Sequence, residues 1–153
     1  MISDKAFDEW KGYRRVLFKV DGRESCCVEP KAAEGERRYV WRTEFFGAFD
    51  SADLALLEKG WHVLYHKVSN LYGCPSSVEY MRAFQDEVTA AFGLNPRAVL
   101  FGFSRGGLYA VNYAAAYPER VSALYLDAPV MDINSWPGGR GSGDGDPACC
   151  STG

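Results

Sequence analysis

Between Tyr39 and Leu126, short apolar runs alternate regularly with amphipathic ones, and this alternation narrows what the chain can fold into more than any other feature. Tyr39-Val40-Trp41 reads as a short strand and Trp61 to Val68 as another. Ala98 to Phe103 is almost wholly apolar, as expected of a parallel strand covered on both faces, and Val121 to Leu126 reads as the next buried strand. Three helices are expected between them. The first has Ser51 as N-cap, apolar Leu54, Leu56 and Leu57, and a stop at Gly60. The second opens at Pro75 and Ser76, with Ser76 and Glu79 at capping-box spacing. Its residues Val78, Met81, Phe84 or Gln85, Val88, Ala91 and Phe92 form one apolar stripe, and Gly93 ends it. The third runs from Leu108 to Tyr117, closed by Pro118. Such alternation predicts an α/β fold: a mostly parallel, twisted sheet with helices on both faces.

Ahead of this region, Tyr13 to Val20 and Glu24 to Glu29 are strand-like runs flanking Asp21-Gly22, a dipeptide that tolerates the positive φ angles of a tight turn. An N-terminal β-hairpin is therefore expected. Beyond Trp136 the pattern disappears. Residues 136–153 hold six glycines, two prolines and almost nothing apolar, too little to offset the entropy of ordering them. The predicted organisation is one folded domain over residues 1–135 and a disordered Gly-rich tail over 136–153.

Charge and cysteine usage exclude several partners. A formal charge of -3 and a pI near 5.4, with Lys and Arg scattered, leave no basic face for nucleic acid. The first 12 residues carry Asp4, Lys5, Asp8, Glu9 and Lys11, and no run approaches bilayer-spanning length, so neither a signal peptide nor a membrane partner is expected. A cytoplasmic protein follows. Cys26-Cys27, Cys74 and Cys149-Cys150 lack Cys-x-x-Cys spacing and a nearby histidine, which predicts reduced thiols, no disulfide framework and no metal site.

The chemistry is concentrated at Gly102-Phe103-Ser104-Arg105-Gly106-Gly107. Gly102-x-Ser104-x-Gly106 is the pattern of a nucleophile elbow, where a serine on a strained turn is pushed out above a sheet and flanking glycines spare a backbone collision. Its setting, after a buried strand and before an alanine-rich helix, is the one the pattern requires. Two other Gly-rich readings fail at named positions. A dinucleotide fingerprint needs glycine where Ser104 stands, and a P-loop needs lysine then Ser or Thr where Leu108 and Tyr109 stand. No cofactor is expected.

Together with that elbow, Trp41-Arg42-Thr43-Glu44-Phe45-Phe46-Gly47, Tyr117-Pro118-Glu119-Arg120-Val121 and Leu124-Tyr125-Leu126-Asp127-Ala128-Pro129 make Tyr39 to Gly139 resemble an α/β-hydrolase of the bacterial esterase and dienelactone-hydrolase-like kind. The resemblance implies a small-molecule ester substrate, Ser104 as nucleophile, and acyl transfer through a serine ester that water then hydrolyses. It also implies an oxyanion held by the backbone N–H of Arg105 and by that of Glu44 or Phe45, donors worth several kcal/mol of barrier lowering.

The family's triad runs Ser, then Asp or Glu, then His. Here both histidines, His62 and His66, precede Ser104, and the sequence stops one strand after the elbow helix. A partial α/β-hydrolase domain, truncated before the last strands, is the resulting expectation. Removing a triad member costs on the order of 10⁴ to 10⁶ in rate, so the alternative is a non-catalytic hydrolase-like binding domain or inactive fragment. His66, toward the carboxyl end of its strand, is the substitute base to consider, and Asp127 and Asp132 after the last strand are the candidate acids. The side chain of Arg105 is a candidate partner for an anionic substrate group. Phe45, Phe46 and Phe49 suggest an apolar wall. An unpaired apolar edge at Val121 to Leu126 predicts self-association.

Overall fold

The computed structural model describes residues 1–139. Its seven strands are β1 (Ile2–Trp10), β2 (Tyr13–Val20), β3 (Arg23–Val28), β4 (Tyr39–Arg42), β5 (His62–His66), β6 (Ala98–Phe103) and β7 (Val121–Asp127); its helices are α1 (Ser51–Glu58), α2 (Pro75–Phe92) and α3 (Gly106–Ala116). All strands belong to one sheet in the order β1-β2-β3-β5-β4-β6-β7. The first four in that order are joined antiparallel, and β5, β4, β6 and β7 run parallel.

Alternation along β4 explains the layering. Tyr39 and Trp41 enter the larger core with Leu64, Val78, Met81, Phe84, Tyr109 and Tyr113, beneath α2 and α3. Val40 enters the smaller core with Val63, Phe101 and Leu57 of α1. Helices thus cover both faces. The α2 stripe buries Val78, Met81, Phe84, Gln85 and Val88 as its spacing requires. Gln85 is the polar member: its amide donates to Tyr39 Oη at 2.8 Å, to Arg120 O at 3.0 Å and to Pro96 O at 3.2 Å, and its carbonyl accepts from Tyr113. With its donors and acceptor met, a buried amide is tolerable.

Several expectations are corrected. The N-terminal ribbon has three strands rather than two, because β1 pairs along β2 through its backbone across a Lys11-Gly12 turn with φ of 50° and 83°. Asp50, not Ser51, is the N-cap of α1. The capping box does not form: Cys74 is the N-cap of α2, Ser76 Oγ lies 3.0 Å from Cys74 Sγ, and Glu79 is held by Tyr117 and Arg82. Helix α3 starts at Gly106 rather than Leu108, and Ala91 is exposed. Strand β7 is not buried; only Val121 is, while Leu124 and Tyr125 are exposed. Within the anticipated tail, Trp136 packs near Tyr72 and Pro137 is buried, and the rest of that tail, 140–153, lies outside the described residues. Among the described cysteines, Cys26, Cys27 and Cys74 are free. No helix among the described residues is long and apolar enough to cross a membrane.

Candidate active site

The turn between β6 and α3 places Ser104 at φ 51°, in the left-handed region that L residues enter at a cost of about 1–2 kcal/mol. Three backbone hydrogen bonds hold it there. Ser104 N–H donates to Asp127 O at 3.0 Å, while its carbonyl accepts from Val130 N at 2.8 Å and Gly107 N at 3.0 Å. A strained residue persists where its surroundings over-determine it, and such residues cluster at functional sites. Ser104 is partly exposed, and among the described residues none hydrogen-bonds to its Oγ.

The flanking glycines are required by close approach. A Cβ on Gly106 would lie 2.9 Å from Thr43 Oγ1 and 3.2 Å from Glu44 Cβ; one on Gly102 would lie 2.9 Å from Leu126 Cδ2 and 3.1 Å from Ala110 Cβ. Gly106 therefore lets the loop after β4 press against the turn. Thr43 closes that contact, its Oγ1 2.8 Å from Gly106 O and 3.1 Å from Phe101 O, while its N–H donates to Phe101 O at 3.1 Å. One residue further, the backbone N–H groups of Glu44 and Phe45 donate to no described residue, and neither does that of Arg105. Phe45 has φ 54°, which turns the loop sharply just there.

Side chains around these donors form a charged and aromatic cluster. Arg105 Nε donates to Glu44 Oε2 at 2.9 Å, and the guanidinium lies 4.9 Å from the Phe45 ring centroid. Glu44 Oε1 accepts from Ser69 Oγ at 2.7 Å and from Tyr65 Oη at 3.2 Å. Burial pushes the Tyr65 phenol up to about 12, so it stays a donor. Phe45 and Phe49 both meet Phe103 edge-on, with centroids 5.6 and 5.2 Å apart, and Phe49 is exposed. Beneath the loop, the buried Arg42 donates through Nε to Asp53 Oδ2 at 2.9 Å and through Nη2 to Phe49 O at 2.9 Å. This ion pair ties β4, the loop and α1 together.

The remaining predicted residues fall on either side of the site's boundary. Asp127 reaches Ser104 through its main chain, opposite Phe103 in the β6–β7 register. Asp132 does not reach it: its Oδ1 accepts from Asn134 N at 2.8 Å and Nδ2 at 3.0 Å, a local turn. His66 is corrected from substitute base to core residue. Its Nδ1 lies 2.8 Å from Ser25 Oγ, its ring stacks on Phe84 at 4.6 Å, and burial lowers its pKa to about 3. His62 is likewise buried, with its pKa lowered to about 4. The Arg105 guanidinium already has a partner in Glu44. Sequence reasoning missed the Arg42–Asp53 pair and the carboxylate of Glu44, whose only sequence signal is acidic and basic residues within an otherwise aromatic stretch.

Comparison with known proteins places the fold in a family. The family model described as alpha/beta hydrolase fold matches residues 29–143, well over half of the chain, and the chain belongs to that family. No curated protein matches. Among solved structures, a membrane phospholipase A described as a bacterial virulence factor is similar at 26% identity and TM-score 0.54, over 78% of this chain and 40% of that one. A cold-adapted esterase from an Arctic intertidal metagenomic library is similar at 19% identity and TM-score 0.56, over 79% of this chain and 63% of its own. An alpha/beta hydrolase enzyme from lagoon sediments of Mar Chica, Morocco, shares 20% identity at TM-score 0.51, over 74% and 52% respectively. The chain thus spans 40% to 63% of the length of these structures.

Proposed function

We propose that Ser104 is the nucleophile of a serine hydrolase acting on small carboxylic esters. The observation that carries this reading is the strained backbone of Ser104, fixed by three hydrogen bonds between a covered strand and a helix. In it, Ser104 Oγ bonds to the ester carbonyl carbon as its proton passes to water, the C–O bond to the alcohol breaks as that oxygen takes a proton from water, and a second water cleaves the acyl-serine to the acid and free Ser104. The N–H of Arg105 and that of Glu44 or Phe45, unspent on any described residue, face the developing oxyanion. Phe45, Phe49 and Phe103 offer an apolar wall to the substrate. Asp127 and Asp132 stay the candidate acids, Asp127 adjoining the turn through its carbonyl and Asp132 holding Asn134 through Oδ1.

A p-nitrophenyl ester tests this directly. The expected result is release of p-nitrophenol together with an acyl mass on the peptide containing Ser104, both lost in Ser104→Ala; release that survives the substitution counts against it. One observation favours a second reading, a non-catalytic ligand-binding domain: both histidines of the sequence are buried with depressed pKa values, and neither contacts Ser104. Ester binding with no acyl adduct at any pH is its signature.

A further inference from the structure

Glu44 is a buried carboxylate, a state such groups adopt only when paired and hydrogen-bonded. Its side chain is 3% exposed, beside the Ser104 turn, and the chemistry proposed above uses only its main chain. The carboxylate is nonetheless fully engaged. Ser69 and Tyr65 hold Oε1 at 2.7 and 3.2 Å, and Arg105 Nε holds Oε2 at 2.9 Å.

What those contacts join is informative. Glu44 and Arg105 are 61 residues apart in sequence; Arg105 carries one of the backbone N–H groups assigned to the oxyanion, and Glu44 either carries the other or immediately precedes Phe45, which does. The loop that bears Glu44 lacks regular structure and turns through Phe45 at φ 54°, Gly47 at 86° and Phe49 at 50°. A main-chain donor on such a loop helps a transition state only if something holds it within a few tenths of an ångström of its place. Thr43 secures the loop one residue too early, at Gly106 O. The Arg105 side chain holds both candidate residues of the loop, Glu44 through its carboxylate and Phe45 through the ring under the guanidinium.

We propose that the carboxylate of Glu44 is a positioning group that fastens the loop's oxyanion donor to that of the turn, with Arg105 as its counterpart and Tyr65 and Ser69 as its anchors. The inference rests on Ser104 acting as nucleophile. Because both donors are main-chain groups, changing either side chain leaves the donor chemically intact, so any loss reports geometry. Glu44→Gln removes the charge from this bond, replacing a charge-assisted contact with Arg105 Nε by a weaker neutral one without emptying the space.

Acylation of Ser104 by p-nitrophenyl acetate, followed in the 153-residue protein, in Glu44→Gln, in Arg105→Met and in the double variant, provides the test. Each single variant is expected to lower the acylation rate constant roughly 10²-fold, the scale of an ångström's misplacement, while the half-saturating ester concentration stays nearly constant. Removing both should cost no more than the worse single change, since both act through one contact. Acylation at the parent rate in either folded variant overturns the proposal. Should Glu44→Gln fail to fold, Arg105→Met decides alone, its side chain being 32% exposed. A parent protein no faster than Ser104→Ala removes the nucleophile reading and this inference with it, and that outcome is recognisable because the parent itself is silent.

Discussion

Strands β6 and β7 lie side by side and parallel, with Leu100 opposite Leu124 and Phe103 opposite Asp127, and both are rich in apolar residues. Their surroundings differ completely. β6 has β4 on its other side and helices on both faces; β7 is the last strand of the sheet order, and four consecutive residues, Ser122 to Tyr125, are exposed. An apolar run states that a strand can be covered, whereas its neighbours decide whether it is. The functional consequence lies at the carboxyl ends of the pair. Ser104 is carried by the strand that is fixed on both sides, and the outer strand contributes only the Asp127 carbonyl that receives its N–H.

The largest effect that can break this comparison lies under the interior strands. Asp53→Ala strands Arg42, buried and already stacked 4.1 Å from the Phe101 ring centroid, and is expected to cost about 3–5 kcal/mol in urea unfolding. Loss of less than about 1 kcal/mol would mean the pair does not tie β4 to α1. Next come the two leucines in register. Leu100→Ala, at a fully buried position, is expected to cost about 2–5 kcal/mol, and Leu124→Ala, at a position 42% exposed, about 0.5 kcal/mol. Equal losses would erase the distinction between the strands.

Acid should act on the interior too. His66 and His62 have folded-state pKa values below the unfolded 6.5, so the unfolded chain binds protons first as pH falls. Stability contributed by keeping them neutral is intact above pH 6.5 and is lost on descending toward about 4 for His62 and about 3 for His66, by up to about 1.4 kcal/mol per pH unit for each group within its window. His66→Leu should flatten that slope; a slope unchanged by it contradicts the buried, neutral assignment. The smallest effect belongs to the edge. Exposed Leu124 and Tyr125, on a strand edge that no described strand pairs, are expected to drive self-association, and Leu124→Lys should shift the protein toward monomer in light scattering with little change in melting temperature.

Much of this fold is legible in the sequence because its signals are local. The Asp21-Gly22 turn, the α2 stripe and the Gly93 stop depend on residues a few positions apart. What is illegible depends on partners distant in sequence. β1 is a strand of mostly charged and polar residues that pairs through its backbone, so no apolar alternation marks it. Glu79 has the spacing for a capping box but is drawn away by Tyr117, 38 residues on. At the site, the Ser104 turn follows from glycine spacing and its strand-to-helix setting. The burial of Arg42 and Glu44 does not, since charged residues are ordinarily exposed and only the assembled fold brings Asp53, Ser69, Tyr65 and Arg105 to them as partners.

Everything proposed for the site requires Ser104 to present a reactive hydroxyl from its strained turn, and covalent capture reads that most directly. Incubating the 153-residue protein with a fluorophosphonate and mapping the product by peptide mass spectrometry should give one adduct, on Ser104, absent from Ser104→Ala. A folded protein whose Ser104 peptide stays unmodified while other serines or tyrosines react would contradict it.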